Sequence, residues 1–401
     1  MAKANAIVGQ SGGPTSVINQ SLVGVISELH KSERVDQILG AKFGVRGIVN
    51  EDFLNLRGLS SELLERVANT PSSALGSTRD KPDETYCLKI FDIFKKHNIQ
   101  YFFYIGGNDS ADTARIISEM ALKASIPLNV YHVPKTIDND LRTTDHCPGY
   151  GSAGRFVALA HMGDDADNRS LKGIKINVVM GRDAGWLTAS AALARQGDTD
   201  GPHLIYLPES DFNEDKFIAD VDAVYKKLGR CVIAVSEGIR YKAGDKTSLL
   251  AEKVIKGGEV DAHGNRQLSG SGALGDYLST LVKEKLGAKL RVRADTFGYL
   301  QRSFPTIISE TDAVEARTCG QKAVQYAMTA PQGLNSGSVA MQRISQEPYK
   351  IDFVPTALSN VARQTKPFDP SWIVNGNNVS DAYVRYALPL VGKLPLMGKL
   401  F

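Results

Sequence analysis

Tyr101-Phe-Phe-Tyr-Ile-Gly-Gly-Asn-Asp-Ser110 is an apolar run that ends in two glycines and a short polar segment. The same pattern returns in Leu128-Asn-Val-Tyr-His-Val-Pro-Lys-Thr-Ile-Asp-Asn-Asp140. Between them, Ser110 to about Ala124 reads as a helix. Strand, turn, helix, strand and turn in that order predict a parallel βαβ unit.

The alternation extends in both directions. Upstream, the pattern predicts strand Asn5–Gly9, a helix from Thr15 to His30, strand Gln37–Phe43 and helix Asp83–His97. Downstream it predicts helix Gly151–Asp164, strand Ile174–Met180, helix Leu187–Arg195 and strand His203–Leu207. Helix Asp215–Leu228, strand Cys231–Ser236, helix Ser269–Leu286, strand Leu290–Ala294 and helix Glu310–Met328 follow. Lys246–Gln267 reads as a surface hairpin or loop. The tail from about Gln346 carries six prolines and reads as a wrap over the body. The fold class is α/β with mostly parallel sheets covered by helices on both faces.

At 401 residues the chain exceeds one ordinary core. The expected division is 1–140, 141–310 and 311–401, the last being helices and tail that pack back on the body. Hydrophobic content is 42% and charged content 23%, ordinary for a globular protein. Net charge is +3, from 47 basic and 44 acidic residues, so no global nucleic-acid footprint exists and any anion site is local. No run reaches the roughly 20 apolar residues of a membrane span. Met1-Ala-Lys-Ala-Asn leads into Ala6-Ile7-Val8 without a signal-peptide pattern, and the four scattered cysteines suit reduced thiols. A cytoplasmic location is expected.

In open α/β sheets ligands sit beyond the carboxyl ends of the strands. Five turns there carry the chemistry. Gly9-Gln-Ser-Gly-Gly-Pro-Thr-Ser16 has small residues that let backbone N–H groups approach a phosphate at a helix start. A tight strand-to-helix turn has the same composition. In Gly106–Ser110, two glycines bring the backbone close to a ligand, and Asn108 offers an amide oxygen for a water on Mg²⁺. Asp109 repels phosphate, so an N-cap role for Asp109 or Ser110 is the competing reading. Pro134–Asp140 is the most specific segment. A carboxylate there can accept the proton of an attacking hydroxyl, and a second can hold magnesium. A lysine can neutralise charge on a group in transfer. A solvated Asx-rich turn is the plain alternative. Met180-Gly-Arg182 offers a phosphate-binding arginine, and Ser236-Glu-Gly238 a carboxylate for sugar hydroxyls. Arg291, Arg293, Tyr299 and Arg302 form a basic cluster, and Arg79 is a weaker candidate of the same kind. No HExxH or GxSxG pattern supports other hydrolytic chemistry.

In this order the motifs resemble the 6-phosphofructokinase family over about residues 5–325. The resemblance implies two Rossmann-like lobes with the active site in the cleft between them. It implies that Asp138 is the base for the 1-hydroxyl of fructose 6-phosphate, with Thr136 beside it and Asp140 on the metal side. Met180, Gly181, Arg182, Glu237, Arg293, Tyr299 and Arg302 resemble the sugar-phosphate pocket. Gly12, Gly13, Gly107, Asn108 and Arg79 resemble donor contacts. Common ATP-using members carry glycine at the Asp109 and Lys135 positions, whereas pyrophosphate-using members resemble this chain. A carboxylate at Asp109 would repel the α-phosphate region of a nucleotide, and Lys135 would add charge for pyrophosphate and its leaving phosphate. Asn108 departs from the aspartate of most members, and Tyr299 from the histidine of many ATP users.

The implied activity is reversible transfer from Mg-pyrophosphate to fructose 6-phosphate, with Mg²⁺ as cofactor, a homodimer as assembly and no nucleic-acid or membrane partner. An ATP-dependent member and a non-catalytic regulatory subunit of the same fold are the alternatives.

Overall fold

The computed structural model describes residues 3–254, 268 and 271–400. In chain order the strands of the two main sheets are β1 (Ala4–Gln10), β2 (Val35–Ala41), β3 (Phe53–Asn55), β4 (Ile99–Gly106), β5 (Asn129–Pro134), β6 (Gly173–Val179), β7 (Leu204–Tyr206), β8 (Arg230–Ser236), β9 (Val292–Thr296), β10 (Gly337–Gln346) and β11 (Tyr349–Thr356). The helices used below are α1 (Ile18–His30), α2 (Glu84–Lys96), α3 (Asn108–Lys123), α4 (Glu214–Leu228), α5 (Ala273–Leu286), α6 (Glu310–Thr329) and α7 (Asp381–Val391).

Two compact units divide the chain. One is Met1–Ile137, Leu141–Tyr150 and Arg302–Lys366; the other is Asp138–Asp140, Gly151–Gln301 and Pro367–Phe401. The first holds a seven-stranded sheet in the order β11-β10-β5-β4-β1-β2-β3. Its pairs are parallel from β10 to β2 and antiparallel at both edges. Successive residues of a strand face opposite sides, and the helices sort accordingly. Ala6, Val8, Phe103 and Ile105 meet Leu22 and Val25 of α1 and Cys319 and Ala323 of α6. Ile7, Phe102 and Tyr104 meet Ile90 and Phe94 of α2 and Ala114 and Ile117 of α3. Burial on both faces explains why β4 reads as an unbroken apolar run.

The second unit holds an all-parallel sheet, β7-β8-β6-β9. Ile176, Val178, Ile233 and Val235 pack with Phe217 and Val221 of α4 and Leu278 and Val282 of α5. Local signals set the helix ends. Asn213 caps α4 by accepting from the Lys216 N–H, and Gly229 ends it with φ +67°.

The chain divides differently from the expected 1–140, 141–310 and 311–401. Its C-terminal part is shared between units, with α6 and the β10–β11 hairpin completing the first sheet and residues from Pro367 joining the second unit. The hairpin replaces the expected wrap. Pro355 lies on β11, an edge strand, where a missing N–H is tolerated. The segment expected as helix Leu187–Arg195 is a short helix, Trp186–Ala189, followed by the tighter 3₁₀ turn Ser190–Ala194. The expected hairpin or loop over Lys246–Gln267 lies, from residue 255 onward, outside the described residues, as does the start of the helix expected from Ser269.

α1 and α6 approach closely through two glycines. A Cβ on Gly24 would overlap the Arg317 carbonyl oxygen, and one on Gly320 the Ser21 carbonyl oxygen. Both obstacles are backbone, so the helices themselves must separate. Gly320→Ala is expected to destabilise the protein by about 1–3 kcal/mol despite alanine's better helix propensity. The urea midpoint reads this, and an unchanged or higher midpoint contradicts the packing account.

His146 is buried in an ionic cluster of the first unit. Its Nε2 lies 2.6 Å from Glu315 Oε2 and its Nδ1 2.8 Å from Asp145 Oδ1. Arg343 also binds Asp145, and the Tyr349 hydroxyl donates to Glu315. Burial pulls the imidazole pKa down, but hydrogen bonds and charge from Asp145 and Glu315 outweigh it and hold the pKa above the ordinary 6.5. A histidine raised in the folded state adds stability that is full below pH 6.5 and lost as pH climbs through the raised value. Thermal midpoints measured upward from pH 6 should show this loss in the wild type and a flatter slope in His146→Gln; parallel slopes would contradict it.

Candidate active site

Register aligns the ends of three strands in the first unit. Gln10 pairs with Ile105, and Gly106 with Pro134. The turns after β1, β4 and β5 therefore emerge together, at the point where the strand order reverses between β1 and β4.

Lys135 ties the first turn to the third. Its side chain is buried, with 3% exposure for the residue, and its Nζ donates to the Gly13 carbonyl at 2.6 Å. Gly12 has φ +74°, and a Cβ there would stand 3.3 Å from that ammonium. A Cβ on Gly13 would stand 3.0 Å from Arg302 Nη1. Gly12 needs glycine for its left-handed backbone, and at both positions a Cβ would crowd a cationic head group, which would have to shift by a few tenths of an ångström. The loop bearing Arg79 is stapled to the same place, since the Gly12 N–H donates to the Thr78 carbonyl and the Ser77 hydroxyl donates to the Gly12 carbonyl. Arg79 is exposed beside it.

The second turn differs from the N-cap reading. Gly107 occupies the cap position, and α3 begins at Asn108, so Asp109 and Ser110 sit inside the first turn. The Ser110 and Ser11 hydroxyls hydrogen-bond, joining this turn to the first. The Asn108 amide nitrogen donates to the Gln364 carbonyl at 2.7 Å, which orients its Oδ1 away from that contact. Asp109 is 64% exposed and lies 3.0 Å from Lys81 Nζ. A carboxylate in a first helical turn is favoured by the helix dipole, which stabilises Asp109 at this position.

His132 supports this turn from below. Burial pushes its pKa down to about 4, so the ring is neutral at ordinary pH. Its Nε2 faces the Gly106 carbonyl at 2.8 Å, and a carbonyl only accepts, so Nε2 carries the proton. Nδ1 then accepts from the Ser338 hydroxyl at 2.8 Å.

The third turn passes from one unit to the other at Asp138. Thr136 is held by its N–H to the Pro148 carbonyl. Asn139 is fully buried with φ +55° and stands between Asp138 and Asp140.

In the second unit, β6, β8 and β9 end together, with Val179 opposite Ser236 and Val178 opposite Thr296. The Gly181 N–H points to Glu237 Oε1 at 3.4 Å, and the Ser236 hydroxyl donates to the Gly181 carbonyl at 2.6 Å. A Cβ on Gly238 would overlap the Arg182 carbonyl, so the two turns are in contact. Arg240 donates to the Arg182 and Gly238 carbonyls. Gln301 Oε1 accepts from the Met180 N–H at 3.2 Å. Arg293 is exposed on the edge strand β9, and Tyr299 is 44% exposed.

The structure therefore joins Gly12, Gly13, Lys135 and Arg302 in one unit, with Gly107, Asn108, Asp109 and Arg79 on neighbouring turns. It joins Met180, Gly181, Arg182 and Glu237 in the other, with Arg293 and Tyr299 on the adjoining strand and its following turn. Arg302, expected in the sugar-phosphate set, lies in the first unit against Gly13. Sequence reading did not single out His132 for this support role, or Gln301, Arg240 and Ser11. Gln301 directly precedes Arg302 in sequence, whereas Ser11 and Arg240 reach Ser110 and Arg182 across 99 and 58 positions, where no local signal exists.

Comparison with known proteins agrees with this arrangement. The Phosphofructokinase family profile matches residues 5–327. The pyrophosphate–fructose 6-phosphate 1-phosphotransferase of Rhodospirillum rubrum is 53% identical over 395 residues, 98% of this chain and 95% of that protein. The enzyme of the same name from Halomonas elongata is 38% identical, covering 98% and 92%. The crystal structure of pyrophosphate-dependent phosphofructokinase from Nitrosospira multiformis superposes with a TM-score of 0.84 at 33% identity, covering 99% of this chain and 95% of that one. Sequence and fold agree along nearly the whole length, and the chain belongs to the phosphofructokinase family.

Proposed function

We propose that this protein transfers a phosphoryl group from pyrophosphate to the 1-hydroxyl of fructose 6-phosphate, giving fructose 1,6-bisphosphate and phosphate. The observation that carries the choice of donor is the pair Lys135 and Asp109. One is a buried cation against the Gly12–Gly13 loop, and the other an exposed carboxylate in the first turn of α3.

In the forward step the C1 oxygen attacks the terminal phosphorus of pyrophosphate. A new C–O–P linkage forms, the bridging P–O bond breaks, and phosphate departs. Asp138 receives the hydroxyl proton. Lys135 and Arg302 stabilise charge on the transferring and leaving groups, and the glycine backbone at 12, 13 and 107 admits the donor, with Arg79 at its outer edge. Thr136 contacts the acceptor beside Asp138. Arg182 and Arg293 bind the sugar's 6-phosphate, Glu237 its hydroxyls, and Met180, Gly181 and Tyr299 shape the pocket. The first unit thus serves the donor and most of the second the sugar phosphate. One anhydride is exchanged for one ester without a nucleotide, which favours ready reversal.

Magnesium fits the residues present. Among the described residues no three His, Cys, Asp or Glu side chains form a metal cluster. Mg²⁺ bound to pyrophosphate needs only one or two protein oxygens and keeps several waters. Asp140 would supply a carboxylate, and Asn108, with its amide nitrogen engaged by Gln364, would supply Oδ1. The ion would screen the phosphate charges. No described helix is long and apolar enough to cross a membrane. The working form inferred from the family resemblance is a cytoplasmic homodimer.

Fructose 6-phosphate with Mg²⁺ and either pyrophosphate or ATP tests the reading directly. Turnover with pyrophosphate alone is expected; turnover confined to ATP, or none with either, refutes it. Asp138→Asn should lower kcat by at least about 100-fold while sugar-phosphate binding, read by calorimetry, changes little. Undiminished turnover would remove Asp138 from the role of base. Asp109→Gly should make ATP binding measurable while pyrophosphate remains a donor, because Lys135 is untouched. Continued absence of ATP binding would show that the block lies elsewhere.

A further inference from the structure

The segment from Pro367 returns to the second unit and brings an aromatic cluster with it. Tyr386 on α7 lies with its ring centroid 5.1 Å from Trp372 and 5.6 Å from Trp186. Phe368 and Tyr383 pack in the same group, and the Tyr383 hydroxyl donates to the Trp186 carbonyl at 3.1 Å. At the inner end of this cluster the Tyr386 hydroxyl accepts from the Asn139 side-chain amide at 3.0 Å.

We propose that Tyr386 is a positioning residue for phosphoryl transfer: its hydrogen bond to the buried Asn139 fixes the turn that carries Asp138 and Asp140. This rests on Asp138 being the base. Asn139 adopts a left-handed backbone, φ +55°. Asparagine tolerates that region better than most residues, but the conformation persists only where surroundings hold it. The amide is fully buried, so its bond to the Tyr386 hydroxyl orients the side chain where water does not compete, and Tyr386→Phe releases that hold. The turn then relaxes by moving Asn139, and both neighbouring carboxylates move with its Cα. Proton transfer is sensitive to such displacement, because a 1 Å error in placement can cost about 100-fold in rate.

The same cluster reaches the sugar-phosphate loop. Trp186 directly follows the Met180–Gly185 turn and opens the next short helix. Glu209 adds a second tie, accepting from the Gly185 N–H at 2.9 Å and the Phe368 N–H at 3.1 Å. The C-terminal segment thus holds the acidic turn and the substrate turn against one rigid group of rings.

Tyr386→Phe removes the hydroxyl and keeps the ring, so the stack remains filled. Steady-state kinetics of wild type, Tyr386→Phe, Asn139→Ala and the double variant test the proposal, with thermal midpoints in parallel. Tyr386→Phe is expected to lose about 10- to 100-fold in kcat, with KM for both substrates and the thermal midpoint nearly unchanged. The double variant should be no slower than Asn139→Ala, because Tyr386 acts through Asn139. Wild-type kcat in Tyr386→Phe, multiplicative losses in the double variant, or loss of kcat only alongside raised KM and a lowered midpoint would each overturn the positioning role. A wild-type chain without pyrophosphate-dependent turnover would instead overturn the functional reading, and this inference with it.

Discussion

A buried ammonium governs the first unit. Lys135 leaves the end of β5 and places Nζ against the Gly13 carbonyl. Taking a cation out of water is expensive unless polar partners replace the solvent. Several features follow from that placement. The Lys135 and Arg302 head groups lie close against the Gly12 and Gly13 backbone, where a Cβ would crowd them. Thr78 and Ser77 brace Gly12 because the loop must present its backbone in one conformation. β1 and β5 are separated by β4, whose turn must stay low. Gly106 lies beneath Ser110 there, and His132 holds the Gly106 carbonyl from below. A multivalent anion complements such a site.

The architecture was largely legible because its signals are local and repeated. Parallel strands buried on both faces read as apolar runs, and β1, β4, β5, β6 and β8 appear within a few residues of their expected limits. The misses share a physical cause. The β10–β11 hairpin is short-range alternation, Tyr349, Ile351 and Phe353 against Lys350 and Asp352, obscured by Pro348 and Pro355. Proline density signals loop only if the strand is assumed to be interior. The division into units was misplaced because the chain returns twice, and no composition change marks residues 302 or 367. Within the site, Lys135, Asp138 and the glycines announced themselves by density in one turn. Tyr386 and Gln301 did not, because a residue that supports another across more than a hundred positions has no local pattern.

Asp109 illustrates a reading that geometry sharpened. As an N-cap it would have been a structural residue with an incidental charge. Two positions past the Gly107 cap, it lies within the first turn of the helix instead. Its pairing with Lys81 is between two side chains that are each more than half exposed. Such a pair contributes at most about 1 kcal/mol and is weakened by salt. In the proposed function the charge of this carboxylate opposes a third phosphate.

The two charges act at different depths, and that difference separates their roles. Lys135 is shielded from bulk water, so in the proposed function its interaction with a reacting phosphate would be strong and little affected by ionic strength. Asp109 is near the surface, where repulsion is modest and salt-dependent. Attraction that must be maintained through bond breaking is placed where the dielectric is low. Discrimination against a longer donor needs only to raise the energy of a competing complex, and an exposed carboxylate at a helix entrance suffices for that. Exchanging the two residues would bury an anion at the reacting phosphate and leave the cation outside, reversing both effects. In the proposed function the donor preference is thus a property of where each charge sits, more than of the presence of lysine or aspartate alone.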